Sequence, residues 1–169
     1  QRTLADPAVL VDNLVDAMAY VWGQGDTNQT PLFARWAGNV IRALYEKKLT
    51  LVEAEYLVDR MAKHVRHALT ADLPDKLSRQ DWQLADTLNA KEFEAQIGST
   101  VNRLQRFIRN RTMRCMFGQP EASLDFGRAL DEGSIVLVNL ATERAKISKE
   151  NAELFATLLL SDLWTAAQE

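Results

Sequence analysis

The fold depends on the stretch Ser134-Ile135-Val136-Leu137-Val138-Asn139-Leu140. It is rich in β-branched residues and has no polar alternation, a pattern typical of a strand buried on both faces of a sheet. A short helix over 125–132, ended by Gly133, is predicted before it. After a polar loop, Ser148 with Glu150 predicts the start of a final helix. The apolar side of that helix carries Ala152, Phe155, Leu159, Leu163 and Trp164.

A single strand cannot form a sheet by itself. Once its side chains are buried, each backbone group left without a hydrogen-bond partner costs about 1–3 kcal/mol. Partner strands for 134–140 could come from an unnoticed segment of this sequence, from a second copy of the chain, or from the rest of a larger α/β domain. We favour the third source, because a buried strand followed by an amphipathic helix is half of a parallel crossover unit.

The first 60 residues carry the apolar spacing of amphipathic helices. The first helix is predicted to open at Asp6-Pro7 and to end at Gly23-Gln24-Gly25, the second to open at Thr30-Pro31, and the third to open with the capping box Thr50–Glu53. Their predicted core residues are Leu10, Val11, Leu14, Val15, Met18 and Trp22; Phe33, Trp36, Val40, Ile41 and Leu44; and Leu51, Ala54, Leu57, Val58 and Met61.

Further helices are predicted in the middle of the chain. Ser78 and Asp81 suggest a start after Pro74, leading into Trp82 and Leu84. Asn89 with Glu92 predicts a long helix, whose apolar positions are Phe93, Ile97, Val101, Leu104 and Ile108. A last short helix through 113–117 should stop at Gly118. The predicted fold is therefore mainly α, a multi-helix bundle with one short strand at about 134–140 and a C-terminal helix.

Composition limits the function classes. The chain has 169 residues, of which 47% are hydrophobic and 25% charged, as in one ordinary globular domain. Its 20 basic and 23 acidic residues give a net charge of -3, so contact with nucleic acid has to be local. The lone Cys115 excludes a disulfide scaffold, and no apolar run approaches the roughly 18 residues that span a bilayer. Because it starts at Gln1 and stops within a predicted helix, we expect a piece of something longer.

The usual catalytic and metal-binding patterns are weak. No glycine stands where a phosphate-binding loop needs it, and Gly23-Gln24-Gly25 is interpreted as a helix stop. Asp131-Glu132 precedes the predicted strand instead of ending it, so we interpret it as the polar end of a helix. His64 and His67, with Asp72, could hold a metal ion, but a solvent-facing pair is favoured. The sequence indicates no Ser-His-Asp or Cys-His catalytic arrangement.

The strongest signal is an arginine-rich segment over 102–114. It contains five arginines and no acid, whereas the residues before 100 hold 14 acids against 11 bases. The candidate DNA- or partner-binding residues are Asn102, Arg103, Arg106, Arg109, Arg111 and Arg114. Forked guanidinium groups suit phosphate oxygens, of DNA or of a nucleotide on a neighbouring subunit. The alternative is a solvated face that is salt-bridged to the acidic helices.

Four stretches together resemble the HerA/TraD-type P-loop ATPases, which include the coupling proteins of conjugation and type IV secretion. They are Ile97-Gly98-Ser99-Thr100-Val101-Asn102-Arg103-Leu104-Gln105-Arg106-Phe107-Ile108, Met113-Arg114-Cys115-Met116-Phe117-Gly118-Gln119, Ser123-Leu124-Asp125-Phe126, and Asp131-Glu132-Gly133-Ser134-Ile135-Val136-Leu137-Val138-Asn139-Leu140. The resemblance implies that 1–120 is an all-helical insertion domain and 121–169 a partial RecA-like motor segment (short helix, strand, helix). The phosphate-binding loop and the acidic metal-site strand would lie outside the chain, so it implies no catalytic, cofactor-binding or metal-binding residue here.

The same resemblance implies a function for the parent protein. It would be a cytoplasmic, homo-hexameric, ATP- and Mg-dependent DNA pump, with any attachment to the bacterial inner membrane made by segments outside this chain. The helical domain would meet DNA or the relaxase complex, and an acidic insertion suits a basic protein better than DNA. Two alternatives stay open. One is a free-standing helical protein–protein interaction module, monomeric or dimeric through 134–140, and the other is a small nucleic-acid-binding protein.

Overall fold

The computed structural model describes residues 7–22, 31–121, 124–145 and 147–168, and these residues are mainly helical, as predicted. The helices are α1 (Pro7–Trp22), α2 (Pro31–Glu46), α3 (Ala54–Val58), α4 (Lys63–Thr70), α5 (Lys76–Thr87), α6 (Ala90–Ile108), α7 (Arg111–Phe117), α8 (Phe126–Asp131), α9 (Thr142–Ala145) and α10 (Lys149–Gln168). One turn of 3-10 helix, Leu51–Glu53, leads into α3.

Capping side chains set several helix starts. The capping box predicted at Asn89 is present: its Oδ1 accepts from the Glu92 amide at 3.0 Å, and the Glu92 carboxylate accepts from the Asn89 amide at 3.0 Å. The Thr50–Glu53 box is also present, ahead of the 3-10 turn. Asp125 caps α8, and Gly133 ends it at φ 63°, a conformation that favours glycine. These local predictions are confirmed, since each depends on residues close in sequence.

The core lies where α1, α2, α6 and α10 pack together. A chain of edge-to-face aromatic contacts crosses it, with centroids of Trp22 and Phe33 5.8 Å apart, Trp22 and Phe107 6.3 Å, Phe107 and Phe117 4.8 Å, and Phe117 and Phe155 5.9 Å. Such pairs add about 0.5–1.5 kcal/mol each beyond the burial of apolar area. The aromatic residues therefore connect the N-terminal helices to the C-terminal one.

The third predicted helix is shorter than the spacing indicated. It ends at Val58 because Asp59 turns extended and its side chain accepts from the Met61 amide at 2.9 Å. Arg66 then donates to the carbonyl oxygens of Leu57 and Asp59, at 3.2 and 2.9 Å. Met61 is consequently exposed, and its placement in the core was wrong. The break lets α4 start as a separate helix.

The start of α5 also differs from the prediction. Asp75, not Ser78 or Asp81, caps it, accepting from the Leu77 and Ser78 amides at 3.1 Å each. Ser78 is buried inside the first turn, and Asp81 is one turn further on, where it binds Arg35. The prediction placed the start of α5 too late because Ser78 and Asp81 are also residue types that begin helices.

The predicted strand over 134–140 is not confirmed. The described residues contain no strand, and this stretch is neither helical nor paired with another segment of the described chain. Ser148 does open α10 as predicted, its Oγ accepting from the Asn151 amide at 3.2 Å. Trp164, which we placed on the apolar side of that helix, is exposed.

Some predictions fall outside the described residues. The capping residues Asp6 and Thr30 and the stop at Gly23-Gln24-Gly25 are among them. Of the helices that the structure describes, none combines the length and the apolar character needed to cross a membrane.

Candidate functional site

The arginine-rich segment spans a bend between two helices. Asn110 lies at that bend, and its Oδ1 accepts from the Met113 amide at 3.1 Å, which starts α7. The bend divides the six candidate residues. Arg103 and Arg106, near the end of α6, line a cleft together with Asn110. Asn102, Arg109, Arg111 and Arg114 are exposed outside that cleft, so the structure does not bring all six together.

The cleft has a volume of about 340 Å³ and lies between α1, the end of α6 and the start of α10. Its lining residues are Val21, Trp22, Arg103, Arg106, Asn110, Ser148, Glu150 and Asn151. The two arginines outweigh the single carboxylate, so the lining is net positive in a chain that is net negative overall. This positively lined cleft is therefore built from parts far apart in sequence.

Arg103 is held in place by its neighbours. Its guanidinium donates to the Ser99 Oγ and lies 4.7 Å from the centroid of the Phe33 ring. Burial, and then the positive charge of Arg106, lower the pKa of Arg103 from its ordinary value. The two guanidinium groups are thus near enough to repel each other, and an anion between them would relieve that repulsion.

Several carboxylates of the described residues pair with basic residues other than these arginines. Asp81 binds Arg35, Asp86 binds Arg66 and Asp72 binds Lys47. Within the part of the chain that the structure describes, none of the five arginines between 103 and 114 forms an ion pair. The alternative that these arginines are salt-bridged to the acidic helices therefore finds no pair in this part of the chain.

The aliphatic stretch 134–140 forms a second candidate surface. Ile135 and Leu137 are 89% and 92% exposed, whereas Val136 and Val138 are 39% and 44% exposed. Exposure that alternates with a period of two is typical of the side chains of a strand, and here it covers residues 135–138. Val136 and Val138, with Leu140, face an apolar groove of about 350 Å³ against α8 and α10. The outer face, Ile135 and Leu137, is left uncovered within the described chain.

Among the described residues, the hydrogen bonds of that stretch lie at its two ends. The Ser134 amide donates to the Ala129 carbonyl at 2.8 Å, and the Ala141 amide donates to the Asn139 side chain at 2.9 Å. Between these two bonds, no described segment pairs with the backbone as a strand would. The stretch therefore presents an unpaired edge together with an apolar face.

The other candidate groups do not assemble into a site. His64 and His67 are exposed on α4, and Asp72 is paired with Lys47. No group of three or more histidine, cysteine or acidic side chains in the described residues is arranged to hold a metal ion. Cys115, like Asp131 and Glu132, is exposed.

Sequence reasoning missed the α10 side of the cleft. The sequence predicts only a helix start at Ser148 and gives Asn151 no role. Asn151 is nevertheless an anomaly in the pattern, because it lies on the buried stripe of α10 with Leu154. A polar residue at an apolar position of a helix is the signal that could have found it.

Comparison with known proteins adds no assignment: no protein-family model, no curated protein and no solved structure matches this chain.

Proposed function

We propose that this chain is part of an ATP-driven DNA-translocating coupling protein of the conjugation and type IV secretion kind, and that it performs no catalysis by itself. The observation that carries the proposal is the uncovered aliphatic stretch 134–140. Burying one Ile or Leu side chain is worth about 1.5–3 kcal/mol, yet Ile135 and Leu137 are almost fully exposed. We expect an apolar, unpaired stretch of this kind where a strand lacks the rest of its sheet.

In this proposal, 121–169 is the start of a RecA-like motor segment and 1–120 is a helical insertion domain. The stretch 134–140 enters the motor sheet, and α10 covers one face of that sheet. ATP and Mg bind to the rest of a cytoplasmic homo-hexamer. We assign neither to this chain, which has no glycine-rich loop followed by Lys and Ser or Thr between a strand and a helix.

The codons that flank this chain test the proposal most directly. A phosphate-binding loop should be encoded before Gln1, and an aliphatic run ending in Asp-Glu after Glu169. If the flanking sequence encodes neither motif, the proposal is wrong. If both are present, the longer polypeptide should hydrolyse ATP, and Leu137→Asp should abolish that activity because a charge would enter the motor sheet.

The proposal also assigns DNA or the relaxase complex to the helical domain. The exposed arginines Arg109, Arg111 and Arg114 would contact DNA phosphates. Changing all three to Ala should weaken the binding of a fluorescent single-stranded oligonucleotide and flatten its salt dependence, because each phosphate contact releases counterions. The control variant changes Arg60, Lys76 and Lys91 to Ala, which removes the same charge from exposed positions elsewhere. Equal weakening by both variants would show that only the overall charge of the chain attracts the oligonucleotide. The relaxase complex would then be left as the partner.

One observation supports a second candidate, a free-standing interaction module. The stretch 134–140 carries no charge, so two copies can pair side by side without repulsion between like charges. This candidate predicts a homodimer in sedimentation equilibrium, which Leu137→Asp converts to monomer. A chain that stays monomeric at concentrations of hundreds of micromolar would exclude it.

A further inference from the structure

The cleft between α6 and α10 has the features of a binding site for a single phosphate group. We infer that Arg103, Arg106 and Asn151 form this site, and that its ligand is a phosphomonoester or a phosphodiester. The inference does not depend on the proposed function, because it rests on the lining of the cleft alone.

Asn151 is the observation that points to a ligand. The residue is only 6% exposed, and its backbone amide is used by the Ser148 cap. No described residue gives its side-chain amide a hydrogen-bond partner. The residue lines the cleft, so a ligand bound there can reach its side-chain amide. A buried amide without a partner is costly unless something in the cleft pairs with it.

The two arginines supply the charge. Arg103 is fixed against Phe33 and Ser99, so little side-chain entropy is lost when it binds a ligand. Arg106 is exposed, lines the same cleft and forms no ion pair within the described residues. Planar guanidinium groups donate two parallel hydrogen bonds to phosphate oxygens, a geometry that a lone lysine cannot provide.

The start of α10 adds to the positive potential. Ser148 and the first-turn residue Glu150 line the cleft, and this 20-residue helix directs the positive end of its dipole there. Glu150 opposes an anion, but it is exposed and therefore screened by water. The Asn151 side-chain NH₂ can donate to a phosphate oxygen, whereas its carbonyl can accept from a protonated phosphate or from a ribose hydroxyl.

A two-dimensional NMR titration tests the site by following the Asn151 side-chain amide and the Arg106 Nε–H. The probes are inorganic phosphate, thymidine monophosphate and the dinucleoside monophosphate dTpdT. We expect at least one probe to shift both signals in a saturable way. Shifts with phosphate or thymidine monophosphate identify a terminal phosphate as the ligand, and shifts with dTpdT alone identify a backbone phosphate.

Two variants and one control complete the test. Arg106→Gln should weaken binding about 10- to 100-fold, because it removes a charge-assisted contact. Asn151→Asp should abolish binding, because it puts a carboxylate where the phosphate oxygen lies. Arg60→Gln removes the same charge from an exposed position away from the cleft and should bind as the wild type does. The inference is overturned if no probe shifts the Asn151 amide saturably, or if Arg106→Gln and Arg60→Gln bind equally well.

Discussion

The buried guanidinium of Arg66 should be among the most important polar groups for stability. Its side chain is completely buried, and its Nε donates to the Asp86 Oδ1 at 2.8 Å. Nη1 donates to the carbonyl oxygens of Leu57 and Asp59, and the group lies 5.6 Å from the centroid of the Phe93 ring. One side chain thus connects the end of α3, the loop after it, α5 and α6.

The cost of Arg66→Met follows from what the change leaves behind. Methionine fills much of the space, but the Leu57 and Asp59 carbonyl oxygens lose a donor at about 1 kcal/mol each. Removing one partner of a buried ion pair costs about 3–5 kcal/mol. Because the Asp86 side chain keeps 23% of its exposure, water can recover part of that loss. We therefore expect the free energy of unfolding to fall by about 3–5 kcal/mol, of which about 2 kcal/mol comes from the two carbonyl oxygens and the rest from the partly hydrated carboxylate.

Urea unfolding followed by circular dichroism measures this loss. The control is Arg60→Met, an exposed arginine six residues earlier, which should change the free energy of unfolding by less than about 0.5 kcal/mol. A double-mutant cycle of Arg66→Met with Asp86→Leu separates the ion pair from the two carbonyl contacts. A loss below about 1 kcal/mol for Arg66→Met would refute the reasoning, since it would mean that the buried guanidinium contributes no more than a surface charge.

Three further outcomes are expected. The Arg35 guanidinium lowers the pKa of Asp81, with a smaller contribution from the Asn39 amide at 2.7 Å. The ionised Asp81 carboxylate therefore stabilises the fold above its unfolded pKa of about 3.9, and this stabilisation is lost as the pH falls through the lower pKa of the folded state. Asp81→Asn should therefore flatten the acid side of a stability–pH curve measured by urea unfolding, and an unchanged slope would contradict this. Gly133→Val should lower the free energy of unfolding by about 1–2 kcal/mol through backbone strain at φ 63°. A steric clash is not the cause, because a Cβ at this position meets no neighbour within 4 Å. A loss no larger than that of Gly133→Asn would count against strain. Leu137→Asp should change the free energy of unfolding, measured by thermal unfolding, by less than about 0.5 kcal/mol, because the residue is 92% exposed. A large loss would show that the side chain is covered.

Helix boundaries could be predicted where capping and spacing agreed. Asn89 and Glu92 are three residues apart, so the start of α6 is decided by contacts that the sequence displays directly. The prediction was wrong at Met61, where spacing favoured a longer helix. There the helix ends at Asp59, and Arg66 from the next helix donates a hydrogen bond to the Asp59 carbonyl oxygen. Such a partner is absent from any local pattern.

The sequence by itself determined the helical character, the main caps and the aliphatic, β-branched character of 134–140, since these follow from residue types a few positions apart. Only the tertiary structure decided that Ile135 and Leu137 stay uncovered and that Arg103 and Arg106 share a cleft with Asn151. More than 40 positions separate the arginines from that asparagine, and what joins them is the packing of α1, α6 and α10 around one aromatic core. Periodicity specifies which face of a helix is buried, but it does not specify which other helix covers that face, because apolar burial has no direction.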